Sequence, residues 1–490
     1  MKTFIKLLPI IAMAAMVSTG IDILLAASIN FFFAAILCMI FEKLSTTEVI
    51  AVGMEGAKNG IQVGFILMMA YPLAEIFMAT GVGAAAINLF INIGVTGRTV
   101  AVIAFLTTCV LSVATGTSWG TFAACIPIFI WLCDVVGGVP GMVMAACMGG
   151  SAFGDNIGLI SDTTILSSGL NDVKVSDRVR AQLPWSLICV TLAAVTFLVL
   201  STAMGLPTTS GDPSTILANL PAESIAALEA KRPSVLILLK QVETGVPIYL
   251  LIPVIVVIVM ACMRFETMIC LTAGIFLSIV FGFLAGTVSS LEEVLGFIQG
   301  GLESAGSWAV IMLFWAMGFG GIMRRMNAFQ PIAEFFLRTS KRVRHLVTWN
   351  GLLCLLMNAT INEEMSQMAC VGPVMKSIIN DNVEGTEENK YRLRNRCALF
   401  SDAVGVHSAC LIPWHTGVAY YVGLTLAVYP FYQYQIRDLY YNFMSIFCVI
   451  SIYILTYFGI DRFIPWFSLP QEPDVRLKNK EERKVNAELK

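Results

Sequence analysis

"DNIGLISDTTI", residues 155–165, and "DAVGVHSACLI", residues 402–412, carry Asp, Gly, Ser and Ile at the same four places. Asp155, Gly158, Ser161 and Ile165 match Asp402, Gly405, Ser408 and Ile412 at an offset of 247. Two more pairs keep the order. "EVIAVGMEG" (Glu48–Gly56) matches "EVLGFIQGG" (Glu293–Gly301) at an offset of 245, and "ATGTSWGTFAACIP" (114–127) runs parallel to "NATINEEMSQMACVGP" (358–373). Any one match is weak. Three in one order at a nearly constant offset point to an internal duplication, the arrangement of many transporters.

Composition says which solvent surrounds these repeats. The 490 residues are 57% hydrophobic and only 13% charged, with mean hydropathy +0.78. Soluble domains carry ~25% charged residues. Apolar runs such as Leu183–Met204, Val246–Met263 and Asn442–Ile460 approach the ~20 residues that cross a bilayer. The chain therefore reads as an all-α polytopic membrane protein. Its cysteines lie mostly inside apolar runs without CxxC spacing, so they read as reduced core residues. Lys2 and Lys6 before an apolar run imitate a signal peptide, but the spans that follow favour a retained first helix.

Charge sets the orientation. Six basic residues from Arg324 to Arg344 precede the segment His345–Met375, and five from Lys376 to Arg396 follow it. Both flanks belong in the cytoplasm. A polar break at Asn358–Glu364 divides the segment into arms of 12 or 13 residues, ~20 Å of helix against a ~30 Å core. This predicts a re-entrant hairpin with its tip at Asn358-Ala359-Thr360. Thr99–Cys133, with Thr115–Ser118 at its tip, is the first-half counterpart. Each unit then has five crossings, one hairpin and one broken helix, and the odd number of crossings inverts the second unit. On this plan 26 Lys and Arg fall in the cytoplasm and 5 outside (Arg98, Lys231, Arg232, Lys240 and Arg437). The expected organisation is a first repeat (1–204), an extracytoplasmic linker (205–245), an inverted second repeat (246–460) and a charged cytoplasmic tail (461–490), its end solvated and partly helical.

Polar breaks at membrane depth survive only where protein or a water-filled cavity satisfies them, so the four breaks should converge. Asp155 and Asp162 would stand about 20° apart on a continuous helix, although Gly154 and Gly158 favour unwinding between them. Carboxylate, hydroxyl and freed carbonyl oxygens together suit a hard cation. A charge at mid-bilayer costs roughly 2.5–3.5 kcal/mol on insertion scales, so a retained carboxylate suggests cation binding, proton binding, or alternation between them. Thr99–Val173, Leu346–Met375 and Cys397–Ile436 hold no Lys or Arg but seven carboxylates, among them Asp155, Asp162, Glu363, Glu364 and Asp402.

The candidate cation and proton ligands are thus Asp155, Asp162, Thr163, Ser161, Thr117, Ser118, Asn358, Thr360, Glu363, Asp402 and Ser408, with Na+ at Asp155 and Asp162. The competing readings are structural. Asp162 can cap a half-helix, Glu363 or Glu364 can cap a hairpin arm, and Thr115, Thr117 and Ser118 can satisfy broken backbone. His407 and His415 read as satisfied polar residues, and Glu75 and Asp22 stay unassigned. An intramembrane hydrolase is disfavoured for want of an HExxH, a GxSxG or a nucleophile–base pair.

The stretches "ATGTSWGT" (114–121), "GDNIGLISDTTILSS" (154–168), "NAT" (358–360) and "LIPWHTGVAY" (411–420) resemble the NhaC-type Na+/H+ antiporters of the ion-transporter superfamily. The resemblance covers roughly residues 5–460. It implies cation/proton exchange, an inverted-repeat fold and an elevator-like motion. Gly158-Leu159 stands where many relatives have Ser-Pro, and Asn156 where they have His. Relatives also include a malate/lactate exchanger and amino-acid carriers, so a Na+- or H+-coupled carrier of a small organic acid or amino acid is the alternative. No cofactor is expected beyond transported Na+ and H+. The partners expected are the lipid bilayer, a small cation and, on the alternative, an organic solute; a homodimer stays open, and no nucleic acid is expected. The location implied is the bacterial inner membrane, with both termini cytoplasmic.

Overall fold

The computed structural model describes residues 5–19, 21–58, 60–159, 161–210, 225, 229, 233–263, 265–307, 309–326, 335, 339–470 and 472–478. The first half runs through α1 (Leu8–Ser18), α2 (Ile23–Glu42), α3 (Thr46–Lys58), α4 (Ile61–Ala79), α5 (Val82–Asn92), α6 (Val100–Thr115), α7 (Ser118–Val135), α8 (Pro140–Ile157), α9 (Asp162–Leu170) and α10 (Val175–Ala203). After α11 (Pro233–Thr244) come α12 (Ile252–Cys262), α13 (Thr267–Ala285), α14 (Leu291–Ser307) and α15 (Ala309–Arg325). The chain continues with α16 (Val343–Ile361), α17 (Glu364–Asn382), β1 (Val383–Gly385), α18 (Glu387–Ala409), α19 (Thr416–Val428), α20 (Phe443–Phe458) and β2 (Val475–Leu477).

The surface fits lipid rather than water. α10 leaves Leu187, Ile188, Leu192, Val195 and Val199 exposed, and α13 does the same with Ile269, Phe276 and Leu284. Such apolar faces are liabilities in water, whereas helices satisfy their own backbone in hydrocarbon. Five helical stretches among the described residues are long and apolar enough to cross, or seven if each of two bent pairs counts as one span. This is a multi-pass membrane protein.

Contacts between the halves come in exchanged pairs. α3 packs on α15, while α14, the sequence counterpart of α3, packs on α4. α2 likewise meets α15 as α13 meets α4, and α9 meets α17 as α19 meets α7. Such reciprocity is what a twofold relation between two copies produces. The matched glycines of the repeat make the same kind of contact. A Cβ on Gly56 would lie 2.7 Å from the Cα of Gly321 in α15, and one on Gly301 would lie 2.6 Å from Pro72 in α4. Only hydrogen lets backbones approach this closely.

Both hairpins return to the side they leave. A Cβ on Gly97, before α6, would lie 2.7 Å from the carbonyl of Val136, just after α7. In the second half, Arg342 before α16 is 3.7 Å from Glu472, and β1 after α17 pairs antiparallel with β2, Val383 opposite Leu477. Val475 of β2 also lines one cavity with Arg342, Val343 and Arg344 at the start of α16, so the strand that pairs with the end of the hairpin lies against its beginning. α16 and α17 therefore begin and end at one face of the molecule.

Several details differ from the sequence expectations. Asn358-Ala359-Thr360 does not form the second tip. It lies inside α16, and the chain turns at Asn362, in the left-handed conformation (φ 57°), and Glu363. Asparagine tolerates that conformation, so α16 runs past the polar residues before stopping. Its arms are 19 residues each, not 12 or 13, and ~28 Å of helix nearly spans the core. The argument from short arms therefore fails, although the hairpin exists. The linker is partly folded, because Val235, Leu238, Leu239 and Val242 give α11 an apolar stripe that is buried against α4 and α5. In the tail, residues 475–477 form β2 rather than helix, because Val475 packs inward and the strand finds a partner in β1. Arg178 and Arg396, counted as cytoplasmic charge, are buried in ion pairs with Asp402 and Asp461. Lys231, Arg232, Arg264, Arg338 and residues 479–490 lie outside the described residues.

Candidate functional site

The two hairpin turns are built alike. α6 ends at Gly116 in the left-handed region (φ 72°), followed by extended Thr117 and then α7. α16 ends at left-handed Asn362, followed by extended Glu363 and then α17. The broken segments are less alike. α8 ends at Ile157, two residues past Asp155, and α9 leaves at 44° after a short break. α18 continues to Ala409, seven residues past Asp402, before the "CLIPWH" break (410–415). Asp155 thus sits at a helix end and Asp402 inside a helix.

One cavity of about 270 Å³ touches all four breaks. Thr117 and Ser118 line it from the first hairpin, and Asp155, Asp162 and Thr163 from the first broken segment. Glu363 and Glu364 line it from the second hairpin, and Cys410, His415 and Thr416 from the last break. Four carboxylates and several hydroxyls face this space, and among the described residues no Lys or Arg does. Asp162 also lines an adjoining cavity of about 410 Å³ with Glu266.

Asp155 is buried, whereas Asp162, the first residue of α9, is exposed toward the cavities. Ser161 Oγ donates to Asp155 Oδ1 at 3.2 Å, and Ser118 meets the same carboxylate through hydroxyl and amide. The carbonyl of Asp155 accepts from Thr163 (3.2 Å) and Thr164 (3.0 Å), which closes the broken turn. Glu363 caps α17 by accepting from the amides of Met365 (2.9 Å) and Ser366 (2.6 Å). That explains its position without a ligand. Glu364, beside it, lines the cavity as Glu363 does.

Other candidates are occupied elsewhere. Asn358 donates to the carbonyl of Gly405 (2.7 Å) and to Ser408 (2.9 Å), and its Oδ1 meets His415 Nε2 at 3.0 Å. Because His415 Nδ1 accepts from Gly417 N, Nε2 carries the hydrogen and both ring nitrogens are satisfied. Thr360 donates to the carbonyl of Leu356 and, like Asn358, Asp402 and Ser408, is not among the cavity-lining residues. Asp402 instead forms a fully buried ion pair with Arg178 and accepts from Asn156 (3.4 Å) and Ser167 (3.3 Å). Arg178 also donates to the carbonyl of Asn156 (2.7 Å) and to Thr164 Oγ1 (2.9 Å). The sequence signal for this arginine was masked by its place among loop charges.

"GTSWG" (116–120) does spell the G-x-S-x-G of serine hydrolases. That motif needs a strand-to-helix elbow, whereas Ser118 begins a helix after another helix and faces a carboxylate.

The sequence profile of the Na+/H+ antiporter family matches residues 3–202 and 219–460. The chain belongs to this family. Among characterised antiporters, the malate-2H(+)/Na(+)-lactate antiporter of Bacillus subtilis is 23% identical, over 77% of this chain and 79% of that protein. The arginine/ornithine antiporter ArcD of Halobacterium salinarum is 24% identical, over 74% of each. The Na(+)/H(+) antiporter NhaC of Alkalihalophilus pseudofirmus is also 24% identical, over 76% of this chain and 78% of its own.

Proposed function

We propose that this protein of the Na+/H+ antiporter family exchanges Na+ for H+ across the bacterial inner membrane, as a transporter without enzymatic activity or cofactor. The observation that carries the reading is the cavity at the meeting of four breaks, lined by four carboxylates and, among the described residues, by no Lys or Arg. Asp155 and Asp162 are the central ligands, with hydroxyls of Thr117, Ser118, Ser161 and Thr163 around them. A carboxylate withdrawn from water favours its neutral form, while a bound cation favours the ionised one. Proton and Na+ therefore compete. If the empty, charged site cannot reorient through hydrocarbon, competition alone yields exchange. The two halves act as inverted repeats around this site, residues 1–204 and 246–460.

A second reading is favoured by size. A cavity of about 270 Å³ is much larger than one dehydrated ion, since a water occupies only ~30 Å³. Relatives named for malate/lactate and arginine/ornithine exchange support a carrier of small organic solutes. The acidic lining suits a cationic solute better than a dicarboxylate. Purified protein in vesicles decides: Na+ gradients alone should drive proton movement. Proton movement that appears only with an organic solute would replace the first reading with the second.

Asp162→Asn is expected to lower Na+ affinity by ~10-fold, the equivalent of ~1.4 kcal/mol, because one exposed carboxylate leaves a site that keeps Asp155. Unchanged affinity in a Na+ titration would remove Asp162 from the site. Orientation is open to a separate check. Lys341 and Glu388 are exposed beyond the two ends of the second hairpin. Single cysteines at both positions, in a background cleared of native cysteines, should react only with reagent on the cytoplasmic side. Modification of both from outside would invert the assignment, and modification of only one would make the segment a true crossing.

A further inference from the structure

Asp155 and Asp402 occupy matched positions in the two repeats, yet only Asp155 faces the cavity. Asp402 lies one helical turn before Val406, which does line it. What separates Asp402 from an equivalent role is Arg178. Its guanidinium pairs with the carboxylate in a fully buried contact, and it also holds the Asn156 carbonyl and the Thr164 hydroxyl. Around Asp402 the remaining hydrogen-bonding side chains are Asn156, Ser167 and Thr163, the last shared with the Asp155 side. Carboxylate, amide carbonyl and hydroxyl oxygens are again hard-cation ligands, here gathered around a fixed positive charge.

We infer that Arg178 is a built-in cation filling the second of two repeat-related carboxylate sites, so that Asp402 is a latent Na+ site and the chain carries one mobile cation instead of two. The inference rests on the proposed function in taking Asp155 as the working site. The asymmetry has a charge consequence. The Asp402 region is neutral in every step of the cycle, and only the Asp155 region changes its charge.

The experiment counts Na+ bound to the purified full-length protein by equilibrium dialysis with radiolabelled Na+. Wild type should bind one Na+ per chain, R178Q two, and the R178Q/D402N double variant one. The second Na+ in R178Q should also be the weaker, because glutamine brings no charge to compete but also no optimised ligand geometry. A folded R178Q that binds one Na+, or a second Na+ that persists in R178Q/D402N, overturns the inference. If R178Q cannot be purified, the double variant decides. Neutral at both positions, it should fold and bind one Na+ within ~3-fold of wild-type affinity. Its failure to fold would show that the hydrogen bonds of Arg178, and not its charge, are what the site requires. Absence of Na+ binding by wild type would remove the proposed function and this inference together, whereas one Na+ in both wild type and R178Q removes the inference alone.

Discussion

Asp155→Asn is expected to abolish Na+-driven proton movement in vesicles while leaving the protein folded. Asparagine keeps the shape of the side chain and can still accept from Ser161, so the local hydrogen bond at 3.2 Å has a substitute. What is lost is the charge that both ions share. Asp162, Glu363 and Glu364 remain around the cavity, but without the buried carboxylate the site loses the proton that Na+ displaces and the field that strips water from the ion. The variant should also lose the pH dependence of Na+ binding. In wild type that binding weakens as pH falls, because the proton occupies the same carboxylate, and it levels off once the site is deprotonated. Na+-driven proton flux persisting in Asp155→Asn across pH 6 to 9 would refute the assignment.

Gly154→Val should be the most damaging substitution for the fold. α6 and α8 touch backbone to backbone, and a Cβ at 154 would stand 2.1 Å from the carbonyl carbon of Ser112. Normal carbon contacts need ~3.5–4.0 Å. The clash is with backbone, so the helices must separate, and that loosens the bond from Ser112 Oγ to the carbonyl of Ser151. Overpacking usually costs about 1–3 kcal/mol, and more where nothing can move aside. We expect a melting midpoint lower by roughly 3 °C or more and impaired Na+ binding, since Asp155 is the next residue. Gly169→Ala is the control. No atom lies within 4 Å of its new methyl, and alanine is the better helix former, so the midpoint should hold or rise. A Gly154→Val protein as stable as wild type would mean that the two helices are not packed this closely.

What the sequence revealed depended on locality. The break between Asp155 and Asp162 announced itself through glycines and unpaired carboxylates within a few residues. The paired glycines 56 and 301 pointed to a duplication for the same reason, and each makes a close backbone approach in the fold. The place of the second turn was not legible, because Asn358 and Asn362 look equally suited to a break and only packing chooses. The fourth break was displaced from its counterpart, since Pro413 ends the segment later than the glycines end the first. Arg178 was the largest omission. Its partner is more than two hundred residues away, and near Lys174 and Arg180, both exposed, it looked like ordinary loop charge. α11 was missed because a 12-residue apolar stripe inside a polar linker is too short to read as a span.

The two short strands have a use in measurement. β2 belongs to the chain after α20, yet it is zipped to β1 at the end of the second hairpin, and Lys478 N adds a bond to the carbonyl of Asn382 at 2.9 Å. Whatever stroke the second hairpin makes during turnover, the C-terminal segment has to travel with it. A fluorophore attached there is an external pointer, coupled to the hairpin without any label inside the membrane. Its distance to a second dye on α10 would follow the working cycle in real time.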